Sequence, residues 1–275
     1  MLDPADFLDE AQALAEGKSS RIPHWCGAGT TLTVSHKAEG WSAWCYRCQE
    51  KGWVPKPLPT LAEKAARKAA QRDADDAVER DPRPPMPPIF DVQQWPLQAR
   101  VWLYKAGLFV EDIAQLGAYY HEKTGRVVLP VMQEGAVVFW QARSVDGRMP
   151  KYLNPRVDRS SLVAQYGAGP CIVLTEDILS AYRVGMATEA WSLLGVRLAT
   201  PVLARLLRDG RPVLVWLDND PVPNNPGQAA AAVIMRTLTN VGIKCHNIVT
   251  EKDPKLYSRA EVKEIVCRSM SLLSA

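Results

Sequence analysis

Two carboxylates, Asp218 and Asp220, follow directly on the apolar run 213–217. A short continuous run of this kind is typical of a strand that is buried on both faces, as in parallel sheets. Open α/β sheets bind ligands at the carboxyl ends of their strands, and side chains two residues apart point to the same side. The pair therefore favours a hard divalent cation such as Mg²⁺. The alternative is an acidic turn without a ligand, because Asp and Asn are common after strands.

Two further acidic motifs also follow apolar runs: Glu176 with Asp177 comes after residues 171–175, and Asp253 comes after residues 245–249. Helical patterns separate these runs, and strands that alternate with helices predict a mainly parallel sheet. The carboxyl ends of parallel strands lie at one edge, so we expect all three acidic motifs to converge there. Such convergence favours a ligand-binding site over a purely structural domain.

The N-terminal part of the chain carries a second group of candidate ligands. Cys45 and Cys48 form a C-x2-C turn, which suits a tetrahedral zinc ion. His24 and Cys26 lie upstream, and the segment between the two pairs alternates as β-strands do. We therefore predict zinc ligation by His24, Cys26, Cys45 and Cys48, with His36 as the alternative histidine. Buried thiols without zinc are the remaining alternative. The chain has 6 Cys and no secretory signal, which favours a reducing compartment and metal ligation over disulfides.

Aromatic and basic residues crowd around these ligands, namely Trp25, Trp41, Trp44, Tyr46 and Trp53 with Lys37, Arg47 and Lys51. A ribbon of this size cannot bury so many rings. Exposed rings between basic residues suit stacking on single-stranded bases. The alternative is that half of them pack around the metal or against the next domain.

The chain has 275 residues and a net charge of +3, which permits but does not require a basic nucleic-acid surface. No apolar run approaches the ~20 residues of a membrane span, and the acidic N-terminus is unlike a secretory signal. We expect a cytoplasmic multidomain protein of the α+β and α/β classes. Its predicted parts are a helix and zinc ribbon at 1–54, a helical and Pro-rich linker at 55–94, a mixed α/β basic subdomain at 95–168, and an α/β domain with a mainly parallel sheet flanked by helices at 169–275. Within these parts the sequence predicts a helix at 3–16, an exposed helix at 60–80, an extended spacer at 81–88, and strands at 126–131 and 136–142 joined by a turn at Glu134-Gly135.

Basic residues precede the acidic motifs, at Arg143, Arg148, Lys151, Arg156 and Arg159, with Tyr152 and Asn154 among them. A cationic strip beside a metal-carboxylate site would hold nucleic acid or a triphosphate. A solvated loop is the alternative.

Taken together, these motifs resemble a known family. Glu176, the Asp218-Asn219-Asp220 triplet and the segment 252–255 resemble the toprim domain, which bacterial-type primases share with topoisomerases. The stretches 102–108, 126–130, 141–143 and 150–154 look like the basic subdomain that precedes toprim in bacterial and phage primases. The ribbon, with Thr-Leu-Thr-Val at 31–34 and Trp-Cys-Tyr-Arg-Cys at 44–48, looks like the template-reading module of these primases.

The resemblance implies a DNA-directed RNA primase that binds structural Zn²⁺ and catalytic Mg²⁺ or Mn²⁺. Glu176, Asp218 and Asp220 would bind the catalytic metal, with Asp253 as a further candidate. Nucleic acid or nucleotide would contact Arg143, Lys151, Tyr152, Asn154, Lys255, Trp44 and Arg47. Its partners would be single-stranded DNA, ribonucleoside triphosphates and a separate replicative helicase. The protein would act in the cytosol of a bacterium or of a phage-infected host, and a membrane would not be among its partners.

Two positions depart from the family pattern. His24-x-Cys26 replaces the usual Cys-x2-His pair, and Asp177 stands where a Gly commonly follows the toprim Glu. Asp177 would be either a further metal ligand or a solvent-facing residue. Two other functions stay open: a toprim-type nuclease or topoisomerase-like enzyme, and a non-catalytic single-stranded-DNA-binding replication factor.

Overall fold

The computed structural model describes residues 1–56, 61–219 and 225–274. The chain divides into two compact units, Met1–Ala70 and Gln71–Ala275. Asp220, one of the predicted metal ligands, lies outside the described residues. In the part of the chain that the structure describes, no helix combines the length and the apolar character needed to cross a membrane.

The first unit is an antiparallel sheet with one short helix. Its strands run in sequence order, β1 (Ser19–His24), β2 (Gly27–Lys37), β3 (Gly40–Cys45) and β4 (Lys51–Pro55). Helix α1 (Leu8–Ala13) covers one face. The helix predicted over residues 3–16 is shorter than expected, because Phe7 leaves helical geometry before α1 and Leu14 is extended after it.

One face of this sheet is buried and the other is exposed. The buried side chains of the sheet, Leu32, Val34, Ala43 and Cys45, pack with Leu2, Phe7 and Ala11. Strand side chains alternate between faces, so the residues between them point away from this core. The cross-strand pairs of Thr33 with Arg21 and Trp44 place those three residues on the same outer face.

Helix α2 (Leu61–Arg80) forms where an exposed helix was predicted, and its residues from 71 onward belong to the second unit. Within that unit Val78 packs beside Tyr119 and Trp140. Residues 81–88, predicted to be an extended spacer, are hydrogen-bonded to the same unit, because Trp140 Nε1 donates to the Pro82 carbonyl and the Tyr119 hydroxyl to that of Pro85.

The second unit begins with helices α3 (Leu97–Lys105) and α4 (Val110–Gln115) and an antiparallel sheet. The strands are β5 (Tyr119–His121), β6 (Arg126–Gln133), β7 (Ala136–Ser144) and β8 (Tyr152–Leu153), in that order. The long β6–β7 hairpin turns at Glu134 and Gly135, which both have positive φ. The hairpin and turn agree with the sequence prediction.

A second sheet completes this unit. Its elements are β9 (Ala164–Tyr166), β10 (Ile172–Thr175), α5 (Ile178–Gly185), β11 (Glu189–Ser192), α6 (Thr200–Asp209), β12 (Val213–Val215), α7 (Pro226–Asn240), β13 (Cys245–Asn247) and α8 (Arg259–Ser274). The strand order is β13-β12-β10-β11-β9, and all neighbours are parallel except the edge strand β9. Apolar clusters on both faces bury the central strands, as their continuous apolar runs require.

Candidate functional site

The four predicted zinc ligands converge at one end of the first sheet. His24 and Cys26 lie at the β1–β2 turn, and Cys45 and Cys48 lie at the β3–β4 turn. β2 and β3 are antiparallel and Leu32 pairs with Cys45, so both turns fall at the same end. The ligand atoms of all four residues lie within 4.8 Å of one another.

The spacing of these atoms fits a tetrahedral ion. Cys26 Sγ lies 3.5 Å from Cys45 Sγ, and Cys48 Sγ lies 3.6 Å from His24 Nδ1. Metal–sulfur bonds of about 2.3 Å would give tetrahedral edges of about 3.8 Å, close to these distances. His24 is buried, and its Nε2 has no hydrogen-bond partner within the described residues. A His/Cys₃ group of this geometry could hold zinc.

Cys45 lies in surroundings that favour a thiolate. Burial raises the pKa of its thiol, but hydrogen bonds with the backbone amides of Cys48 and Arg47 and with the Thr31 side chain outweigh burial and lower the pKa to about 6. Zinc binds the thiolate rather than the thiol. The alternative ligand, His36, lies outside the cluster, and its Nδ1 is 2.5 Å from the Leu14 carbonyl oxygen.

The outer face of the first sheet exposes aromatic and basic side chains. Trp44 and Trp53 are 49% and 45% exposed, and the β3–β4 register places both on the side opposite to the core. Trp25 is 75% exposed at the β1–β2 turn, whereas Trp41 is half-buried. Arg21 lies 5.7 Å from the Tyr46 ring centre. Four of the five rings of this module are therefore exposed, and Trp41 is the one that packs partly against the core.

Arg47, predicted to contact nucleic acid, also braces the metal cluster. Its Nη2 donates to the Ala28 carbonyl, and its guanidinium lies against Gly27, where a side chain would overlap it. Gly27 has a φ of +150°, so only glycine meets both conditions easily. The contact ties the β3–β4 turn to the β1–β2 turn.

In the second unit, a basic and aromatic group forms on β7 and β8. Arg143 and Tyr152 are paired positions, and Arg143 Nη1 donates to the Tyr152 hydroxyl at 2.6 Å. The guanidinium lies 5.1 Å from the ring centres of both Tyr152 and Trp102. The exposed Lys151 lies 5.7 Å from the Tyr152 ring centre. These contacts hold a flat cation and a flat ring side by side.

Other basic residues of the strip have local partners. Arg156 pairs with Asp76 and Glu79 of α2. The Asn154 amide donates to Glu79, and Asn154 Oδ1 is buried without a partner among the described residues. Arg148 donates to the Thr124 carbonyl. The structure therefore groups Arg143, Lys151 and Tyr152, and places Asn154 beside α2.

The acidic motifs converge at the carboxyl edge of the parallel sheet. Glu176 and Asp177 follow β10, Asp218 follows β12, and Asp253 follows β13. Asp218 is mostly buried, and its Oδ1 has no hydrogen-bond partner within the described residues. Burial raises the pKa of Asp218 to about 7, with Asp177, Asp253 and Glu176 adding to the shift against the opposing charge of Lys255. Among the described residues, only His24, Cys26, Cys45 and Cys48 bring three or more candidate ligand atoms close enough to share an ion. The carboxylates at this edge are joined through Lys255.

Two close contacts fix the backbone of this edge. Gly227 of α7 lies against the Asp218 carbonyl oxygen, where a Cβ would overlap it. The Glu176 carbonyl accepts hydrogen bonds from the Ser192 hydroxyl and the Gly195 amide. Neighbouring elements therefore fix the backbone of both candidate metal ligands, Glu176 and Asp218.

Asp177 and Lys255 have structural contacts that the sequence reasoning missed. Asp177 is the N-cap of α5 and accepts from the amides of Leu179 and Ser180. Lys255, predicted to contact nucleotide, forms ion pairs with Asp177, Asp218 and Asp253. The capping signal was present, because an Asp directly before an apolar helical run is a common N-cap. No local signal indicated the position of the Lys255 side chain.

The comparisons with known proteins show what kind of fold carries these sites. No protein-family model matches the sequence, and no curated protein matches it. Solved structures do match. The structure of the DnaG primase catalytic domain bound to single-stranded DNA has a TM-score of 0.52 and 18% identity, covering 77% of this chain and 82% of that chain.

Two further primase structures are similar. The E. coli primase catalytic core has a TM-score of 0.52 and 19% identity, covering 67% of this chain and 76% of that one. The Aquifex aeolicus primase, with zinc-binding and RNA polymerase domains, has a TM-score of 0.52 and 14% identity, covering 98% of this chain and 83% of that one. At these identities the likeness establishes the fold, which is that of bacterial primase cores.

Proposed function

We propose that this chain is a DNA-directed RNA primase, which makes short RNA primers on single-stranded DNA by metal-dependent nucleotidyl transfer. The observation that carries the proposal is the convergence of carboxylates at the carboxyl edge of a parallel sheet, in a chain with the fold of primase cores. One of the similar structures is bound to single-stranded DNA, which supports the same template for this chain.

The catalytic metal site would belong to a toprim domain at residues 169–275. Glu176, Asp218 and Asp220 would hold Mg²⁺ or Mn²⁺, with Asp253 beside them. When bound, such an ion supplies charge neutralisation on the triphosphate and activation of the attacking hydroxyl. The buried Oδ1 of Asp218, which has no hydrogen-bond partner among the described residues, supports its role as a ligand. Asp218 also follows β12 at the carboxyl edge of the sheet, where open α/β sheets bind their ligands.

Template binding would involve both units. Residues 1–54 would form a zinc ribbon whose outer face stacks unpaired bases on Trp44, next to basic residues such as Arg47. The zinc would fix the two turns at the end of the sheet. In the basic subdomain at 95–168, Arg143 and Lys151 would contact phosphates, and Tyr152 would offer a ring for stacking.

The other expectations form part of the same proposal. Residues 55–94 would link the ribbon to the catalytic part. Ribonucleoside triphosphates would be the second substrate, and a replicative helicase on another chain would be the partner. An enzyme of this kind would work in the cytosol of a bacterium or of a phage-infected host.

Primer synthesis tests the proposal directly. Wild-type protein with Mn²⁺ or Mg²⁺, labelled ribonucleotides and a library of single-stranded DNA templates should give short RNA, identified by product sequencing. Asp218→Asn keeps the side-chain shape but removes the charge, and it should lower the rate at least about 100-fold, as expected when a group that stabilises transition-state charge is lost. Glu122→Gln removes an exposed charge outside the acidic edge and serves as the control.

Three results would contradict the proposal. One is the absence of RNA from wild type across templates and metals. Another is unchanged synthesis by Asp218→Asn. The third is metal-dependent nicking of DNA in the absence of nucleotides and without RNA synthesis, which would identify a toprim-type nuclease instead.

A further inference from the structure

Lys255 lies at the centre of the acidic edge. Its Nζ is 2.8 Å from Asp253 Oδ2, 2.9 Å from Asp177 Oδ2 and 3.5 Å from Asp218 Oδ2. The side chain is only 21% exposed. A short 3-10 turn, Pro254–Leu256, brings it to the N-terminus of α5. One ammonium group thus contacts carboxylates that follow three different strands of the sheet.

The three carboxylates are not equivalent. Asp177 also accepts hydrogen bonds from the amides of Leu179 and Ser180 and from the Ser180 hydroxyl, so both of its oxygens are engaged. Its position as the α5 N-cap fixes it independently of any metal. Asp177 and Asp253 therefore anchor the ammonium. Asp218 has the longest contact, and its second oxygen is unpaired within the described residues.

We propose that Lys255 is a built-in counter-ion of the metal site, which pairs with Asp218 in the metal-free protein and competes with divalent cations for that carboxylate. The proposal rests on the metal site of the proposed function. A divalent ion bound by Asp218 takes the carboxylate from Lys255, and the ammonium stays beside the ion because Asp177 and Asp253 hold it. Repulsion between the two cations then weakens binding of free metal.

A triphosphate changes this balance, because its negative charge interacts favourably with both the ion and the ammonium. Metal should therefore bind more tightly with nucleotide than alone. The contribution of Lys255 is to make metal loading depend on the nucleotide. By this argument Lys255 is a positioning residue that acts through the charge balance of the site.

Direct measurement of Mn²⁺ binding, by the electron paramagnetic resonance signal of free Mn²⁺, tests the proposal without any need for activity. Lys255→Met removes the ammonium with little change in side-chain volume. We expect about tenfold tighter Mn²⁺ binding in the absence of nucleotide, within the range usual for coupled binding events. Lys252→Met is the matched control, because Lys252 is exposed and makes no ion pair with a described carboxylate. Lys255→Arg keeps the charge and should bind Mn²⁺ as wild type does.

A second measurement uses the unmodified protein, so it stands even where Lys255→Met does not fold. Reductive methylation read by peptide mass spectrometry should label Lys255 slowly without metal and several-fold faster with saturating Mn²⁺, because Asp218 no longer covers it. Labelling of Lys252 should not change. Equal labelling of Lys255 in both states would overturn the proposal.

The outcomes separate this proposal from the proposed function. If Asp218→Asn leaves Mn²⁺ binding unchanged, the metal site itself is wrong and both proposals fail. If Mn²⁺ binding depends on Asp218 but is equal in wild type and Lys255→Met, only the counter-ion proposal fails. Tighter binding in Lys255→Met that Lys252→Met does not reproduce supports it.

Discussion

The two candidate metal sites of this chain are built on opposite principles. At the end of the first sheet, three thiols and an imidazole face one another, and their side-chain hydrogen bonds run to one another, to Thr31 and to Glu50. At the edge of the second, the carboxylates already hold the ammonium of Lys255. The first arrangement suits a permanently bound structural ion, and the second suits an ion that exchanges with solvent.

The physical difference lies in what the folded chain loses without its ion. The first unit is small, with a core of a few apolar residues on one face of a single sheet. Such small modules generally need a metal or disulfides for stability. The acidic edge belongs to a unit with extensive apolar clusters on both faces of its sheet, and that unit has its own cation at the site. We therefore expect metal removal to affect the two units very differently.

The largest expected effect is the unfolding of the first unit when zinc is lost. Structural zinc contributes on the order of 10 kcal/mol to the folding of comparable modules. Cys45→Ser should abolish stoichiometric zinc binding and expose residues 19–55 to rapid hydrogen exchange, measured by mass spectrometry. Residues 97–215 should keep their protection. Cys267→Ser, which changes an exposed cysteine, is the control. If the first unit of zinc-free Cys45→Ser stayed protected from hydrogen exchange, the two sites would not differ in how far the fold depends on the ion.

A smaller effect is expected on the outer face of the same sheet. Trp44→Ala removes a half-exposed ring but no metal ligand, so zinc content should not change. Loss of one base–aromatic stack costs about 1–3 kcal/mol, which corresponds to roughly a 5- to 150-fold weaker affinity for single-stranded DNA. Fluorescence anisotropy with a labelled oligonucleotide measures it. Phe90→Ala removes an exposed ring in the second unit and should leave the affinity unchanged. Equal losses of affinity for single-stranded DNA in both variants would argue against Trp44 as a specific stacking site for bases.

The smallest expected effect concerns a buried histidine that contrasts with His24. His121 is buried, with its Nδ1 2.8 Å from Thr124 Oγ1 and its Nε2 3.0 Å from the Met86 carbonyl oxygen. Burial lowers the pKa of His121 below its usual value, with the Lys123 charge acting in the same direction and the Met86 hydrogen bond opposing it.

The unfolded chain therefore takes up this proton at higher pH than the folded chain does. The stabilisation is complete above the ordinary histidine pKa of about 6.5 and is lost as pH falls below it. Urea unfolding of the second unit at several pH values should show this decline in wild type and a shallower one in His121→Gln. If the free energy of unfolding depended on pH identically in the two proteins, burial of His121 would not be the cause of the decline.

Parts of both candidate metal sites could be predicted from the sequence, because the spacing of Cys45 and Cys48 and the apolar run before Asp218 both follow local rules. The partner turn with His24 and Cys26 could be inferred because a hairpin brings distant residues to one end. Lys255 could not be placed, because its contacts depend on how a 3-10 turn meets the N-terminus of α5. That contact belongs to tertiary packing, which spacing alone does not encode.

The close fit of Gly227 against the Asp218 carbonyl has a consequence for redesign of the site. Any larger residue at position 227 would push α7 away from the end of β12 and would turn the carboxylate with it. Substitutions in α7 that are intended to change the metal preference would therefore change both the orientation of the Asp218 carboxylate and the packing of the core. The segment at 253–255 offers a separate route, because its side chains reach the site without forming part of a strand or of α7.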